Sequence, residues 1–165
     1  MRHRLRALAL AAVLLAPVAA RAGCNDPAGP GVDWRRCYQD EAELAGHDLS
    51  GASLRDVSFV RADLTRANLA KADASRAKFV SAKLAGARLG GARLTEADFT
   101  RADLTEASLA RADLSRARFF RAVLRKADLS GATVRGSDFA NADLSGATWT
   151  DGKRICAEGS IGQCN

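Results

Sequence analysis

The chain has 165 residues, of which 47% are hydrophobic, 27% charged and only 5% aromatic, with a formal net charge of +6. That length suits one domain, and the scarcity of aromatics points to a core of Leu, Phe and Ala. Two histidines, His3 and His47, with no Ser/His/Asp set, HExxH or phosphate-loop GK[ST], argue against an enzyme and supply no cofactor motif.

Residues 1–22 read as a Sec-type secretory signal. Arg2, Arg4 and Arg6 make a basic start, Leu8 to Leu15 is apolar but too short to span a bilayer, and Ala20-Arg21-Ala22 resembles a cleavage site near Ala22/Gly23. The expected location is periplasmic or secreted. A short membrane anchor is the weaker reading. A lipoprotein signal ending at Cys24 is weaker too, because Arg21 stands where a lipobox wants Leu. Removing this segment leaves 21 basic residues against 19 acidic ones, so the net charge falls from +6 to +2. The basic character belongs largely to the leader. No later segment is apolar enough to cross a membrane.

Residues 23–41 read as an N-terminal cap. Pro27, Gly29, Pro30 and Gly31 are loop chemistry. The stretch from Cys37 to Ala45 suits one helical turn, and Trp34 or Tyr38 suits a lid over the first coil.

Residues 42–151 are periodic. Every fifth residue is apolar, from Leu44, Leu49, Leu54 and Phe59 to Leu144 and Trp149. Five of the six phenylalanines, Phe59, Phe79, Phe99, Phe119 and Phe139, recur every twenty residues. Five residues advance an α-helix by about 500°, which smears such a stripe around the circumference. In a flat strand an odd period alternates faces. A backbone that turns a corner every fifth residue keeps all of them inward. The residue two before each is nearly always Ala; His47, Val57 and Ser137 are exceptions. Two inward positions per unit, one large and one methyl-sized, describe a narrow square tube.

Ala102-Asp103-Leu104-Thr105, Ala112-Asp113-Leu114-Ser115 and Ala127-Asp128-Leu129-Ser130 resemble the A-(D/N)-L-x-x signature of pentapeptide-repeat proteins. The resemblance holds over 42–151 without a frame slip. It implies an all-β fold, a right-handed quadrilateral parallel β-helix of about five and a half coils. The family identity implies little about activity, because such arrays are scaffolds whose function lies in their surfaces.

Residues 152–165 read as a C-terminal cap, with Trp149 in the last inward slot. All four cysteines lie outside the periodic stretch. Four cysteines allow three pairings, but a disulfide needs Cα atoms within about 7 Å and the rod's ends lie several times farther apart. Cys24–Cys37 and Cys156–Cys164 are therefore expected, in keeping with export. A metal or a reactive thiol is the alternative. No His accompanies either pair, and the spacings are not those of a zinc ribbon.

Outward charges alternate in sign between coils, as in Lys78, Asp98, Arg118 and Asp138, or Asp73, Arg93 and Asp113. Such ladders serve solubility and register. Lys78, Lys83, Arg88 and Arg93 put a basic residue on all four sides of one coil, a belt that could meet an anion. Some family members act on DNA gyrase and resemble a DNA duplex in shape and negative charge. Here the acidic runs are broken by Lys and Arg, so a topoisomerase-directed DNA mimic is an alternative only. Direct nucleic-acid binding is disfavoured by the same interleaving. An unrecognised envelope enzyme is the other alternative.

Beside the phenylalanines run an apolar strip (Val60, Val80, Thr100, Phe120) and a mostly basic one (Arg61, Ser81, Arg101, Arg121). This is the expected binding face, for an unknown protein partner or a second copy of the chain. The competing reading is that β-branched residues simply suit an exposed strand. His47 is expected to pack near the N-terminal cap, Asp48 and Asp63 to bond backbone amides at corners, and Ala74, a small residue in a large slot, to leave a void or pinch.

Overall fold

The structure is a computed structural model describing residues 23–165. It is a right-handed, four-sided parallel β-helix. Parallel bridges join residue n to residue n + 20 without interruption, from Asp33↔Ser53 to Asp128↔Thr148. Each side is one short extended segment. Main-chain bonds link it to the coils above and below, as in Leu84 N–H to Asp103 O (2.7 Å) and Lys83 N–H to Ala62 O (3.0 Å).

We number the sides by their inward residues. Side 1 carries Phe59, Phe79, Phe99, Phe119 and Phe139. Side 2 carries Leu44, Leu64, Leu84, Leu104, Leu124 and Leu144. Side 3 carries Leu49, Leu69, Leu89, Leu109, Leu129 and Trp149, and side 4 carries Trp34, Leu54, Ala74, Leu94, Leu114 and Val134. The Leu, Phe and Ala positions between Leu49 and Leu129 are fully or almost fully buried. From Phe79 to Phe139 the rings stack with centroids 4.8, 5.0 and 4.8 Å apart. The spacing matches the separation of hydrogen-bonded strands, so one ring per lap fills the column without a gap. The Phe59–Phe79 pair, flanking Ala74 along the chain, opens to 5.4 Å and tilts by 20°.

The corners carry a cost that the sequence pattern hides. Two residues after each inward side chain the backbone adopts positive φ, at Gly46, Gly51 and Gly86 but also at Arg61, Arg66, Lys71, Arg101 and Arg121. A turn of this kind needs positive φ at its third residue and favours Gly. None of the non-glycine corner residues is β-branched, the class for which this conformation is worst.

The N-terminal boundary differs from the expected one. Bridges begin at Asp33 rather than at residue 42. Trp34 fills a large inward slot and Cys37 a small one, both buried, so the coil is already square there. Residues 37–45 accordingly form bridge and turn rather than a helical turn. Trp34 is the lid: it meets Phe59 edge-on at 6.5 Å and its indole N–H donates to Asp26 O (3.2 Å). Tyr38 is not, being 82% exposed. Gln39 tops the phenylalanine column and donates to Cys24 O (2.8 Å).

At the other end the chain reverses. Asp151 accepts the amides of Lys153 and Arg154, and the tail pairs antiparallel through Thr148↔Ile155 and Asp143↔Ile161. Trp149 lies edge-on to Phe139 at 5.7 Å. A change from parallel to antiparallel pairing covers the edge on which another coil would grow. The two disulfides, Cys24–Cys37 and Cys156–Cys164, pin the two caps (S–S 2.01 and 2.03 Å). The secretory signal assigned to 1–22 lies outside the described residues.

Candidate functional site

The inward side chains are apolar and buried, so chemistry must be sought outside. Outward Asp residues preceding an inward side chain are mostly occupied structurally. The amides two residues on donate to Asp48 (2.9 Å), Asp63 (3.0 Å), Asp103 (2.9 Å) and Asp113 (3.0 Å). This is the corner-holding role expected of Asp in turns. Burial alone would raise the pKa of Asp73, but hydrogen bonds from Ser75 and Arg55 outweigh it and hold the carboxyl at about 2.

Ion pairs follow the coil. Arg76–Asp56 (2.7 Å), Lys83–Asp63 (3.6 Å), Arg93–Asp73 (3.4 Å), Arg116–Glu96 (2.7 Å) and Arg118–Asp98 (3.2 Å) each join a cation to the acid one lap earlier. The cations are exposed and most of the acids half-buried, so each pair adds little to stability. The basic belt is therefore not one feature. Lys83 and Arg93 are paired with acids, whereas Lys78 and Arg88 belong to no ion pair among the described residues.

The corner between sides 1 and 2 gathers the candidate binding residues. Val60, Val80, Thr100 and Phe120 line it half-buried, one per coil. Phe120 is half-buried like the others in this column, and the Arg121 guanidinium lies over its ring, 5.1 Å from the centroid. Arg61 is tied to Glu41. Arg101 and Arg121 stack one lap apart, exposed, with no acid partner among the described residues. Val123, half-buried on side 2, extends the apolar strip past the corner. Sequence reasoning missed it, although a Val among Glu43, Asp63, Lys83, Asp103 and Asp143 is a visible break in a charged column.

His47 does not pack inward. An imidazole does not fit a methyl-sized slot, so the ring is exposed and its Nδ1 lies 3.3 Å from Ala45 O. Among the described residues no group of three or more His, Cys, Asp or Glu is arranged to hold a metal, and no helix is long and apolar enough to cross a membrane.

Comparison with known proteins agrees with this geometry. The family profile described as pentapeptide repeats matches residues 42–80, 82–119 and 117–148, in 8 copies. Among solved structures the chain is similar to HetL, a pentapeptide repeat protein involved in heterocyst differentiation regulation from the cyanobacterium Nostoc sp. strain PCC 7120. The identity is 34% and the TM-score 0.53, over 75% of this chain and 62% of HetL. It is also similar to two trypsin-treated forms of QnrB1, a plasmid-mediated fluoroquinolone resistance protein. One is 28% identical over 76% of this chain and 69% of that one; the other is 30% identical over 72% and 64%. Both have a TM-score of 0.57. The chain thus spans under two thirds of HetL's length. A comparison with curated proteins finds no match.

Proposed function

The chain belongs to the pentapeptide-repeat family, and from that premise we propose that it is an exported, non-catalytic rod that binds a protein partner through the corner between sides 1 and 2. The observation that carries this reading is the pairing of Phe120 with Arg121 beside an unpartnered Arg101. Aromatic and Arg side chains are the groups enriched where proteins bury one another. Arg101 and Arg121 join no ion pair among the described residues and flank an apolar strip. Two disulfides support export, since such bonds persist in oxidising compartments. The Cys24–Cys37 bond favours this reading over a lipid anchor at Cys24.

Replacing Phe120 and Val80 with Ser tests the reading. Mass in solution and capture from envelope extracts are compared with the parent protein, with circular dichroism as the check on folding. The expected result is loss of a specific partner, or of a second copy, with the fold intact. Unchanged association would end it.

A DNA-mimicking role is the alternative that the charge order opposes. The corner column Asp56, Arg76, Glu96, Arg116 changes sign at every coil, and its cations pair with its acids, where a mimic needs unbroken negative charge. A supercoiling assay with gyrase checks it.

A further inference from the structure

Side 3 carries a group of cations held in no close ion pair, although Arg88 lies near enough to help lower the pKa of Asp48. Arg66 and Lys71 stand at the two corners of one coil, Arg88 at the centre of the next and Arg111 at a corner above. All four are exposed, and none joins an ion pair among the described residues. Where the ladder elsewhere puts an acid beneath a cation, Arg88 stands over Asn68, whose amide is turned to Asp48 (2.9 Å). The coil of Arg88 contains Gly86, Gly90 and Gly91. A Cβ on Gly86 would come within 3.4 Å of Arg66 Cγ, and one on Gly91 within 3.8 Å of Lys71 Cγ. The two cationic stems thus lie across bare backbone and lean from both corners onto the coil of Arg88. The remaining outward residues here are small: Ala70, Gly90 and Ala110 in the middle of the side, Ser50 and Ser130 toward its ends. Acids sit at the margins. Asp48 and Asp128 lie toward the two ends, Asp73 and Asp113 line a recess with Lys71 and Arg111 beyond their corner, and Glu106 faces Lys126 (3.9 Å).

We propose that side 3 docks on a membrane surface rich in anionic phospholipid, with Arg66, Lys71 and Arg88 among the headgroup phosphates and Arg111 beside them. Cations spread over three coils of one side match a plane of phosphates, whereas a single soluble oxyanion would engage only those that meet at one recess, as Lys71 and Arg111 do beside Arg93. A second copy of the same side would meet it with like charge. The attraction is electrostatic, acts within a Debye length and is released by salt.

The test is flotation of the protein with vesicles of equal phosphatidylglycerol and phosphatidylcholine, against phosphatidylcholine alone. R66Q/K71Q/R88Q is compared with R36Q/K78Q/R135Q, which removes the same charge from exposed positions on other sides. The parent is expected to float with anionic vesicles only, at low salt. The side 3 variant should lose about a hundredfold in partitioning, at about fivefold per cation, while the control changes little. Circular dichroism verifies that both variants fold. Equal loss in the two variants, retention in both, binding of the parent to neutral vesicles, or capture by soluble polyphosphate without vesicle binding would each overturn the proposal.

Discussion

Phe79 and Phe99 stack inside the coil, centroids 4.8 Å apart and 3° from parallel. That separation lies within the range of stacked aromatic pairs. The backbone ladder imposes one ring per lap and the rings fill what it leaves. Phe99→Ala should therefore cost about 3–5 kcal/mol, and Phe99→Leu clearly less. Urea denaturation measures both. Equal, small losses would mean that the column is not packed.

The corners supply a second prediction. Gly46 and Gly131 both have positive φ, but a Cβ on Gly46 meets nothing within 4 Å, while one on Gly131 meets Arg111 Cγ at 3.3 Å. Gly46→Ala should cost about 1 kcal/mol from backbone strain alone, and Gly131→Ala more. Adding Arg111→Ala should recover the difference at Gly131 and do nothing for Gly46, as a double-mutant cycle would reveal.

Much of this was legible in the sequence, and the rest was not for identifiable reasons. The inward register was readable because Leu, Phe and Ala occupy it monotonously. The array's true start was hidden because Trp34, Cys37 and Gln39 fill the same slots with other chemistry. Positive φ at the corners was invisible because charged and polar residues, not Gly, hold most of them. The placing of the Arg121 guanidinium over the Phe120 ring was not readable because no sequence rule shows which way that side chain folds. The basic belt read as one coil because the pairing of Lys83 and Arg93 with acids one lap earlier depends on side-chain reach.

Acid sensitivity follows from Asp73. Its folded pKa of about 2 lies below the ordinary 3.8, so its stabilisation is present above pH 3.8 and is lost as pH falls toward 2. Asp56, Asp63 and Asp113 shift the same way. Asp73→Asn should flatten the stability profile between about pH 4 and 2, by on the order of 1–2 kcal/mol. Thermal melts across that window decide it; an unchanged acid limb would assign the loss to other groups.

Opening the C-terminal clasp has a specific consequence. Replacing Cys156 and Cys164 with Ser should lower stability by about 2–3 kcal/mol. It should also loosen the antiparallel pairs of Ile155 and Ile161, exposing the last coil's edge and promoting end-to-end association. Light scattering after chromatography reports this as concentration-dependent growth in mass. A variant that stayed at the parent's mass at every concentration would separate the clasp from edge protection.

The most direct measurement of the central claim, that one corner of a rigid rod makes the protein contact, is site-specific photocrosslinking. A photoreactive phenylalanine analogue is placed in turn at Phe120, beside Arg121, and at Ser108, on side 3. In envelope extracts the account predicts a discrete adduct from position 120 and none of that mass from position 108. Adducts of the same identity from both positions, or none from position 120 while another side yields one, would contradict it.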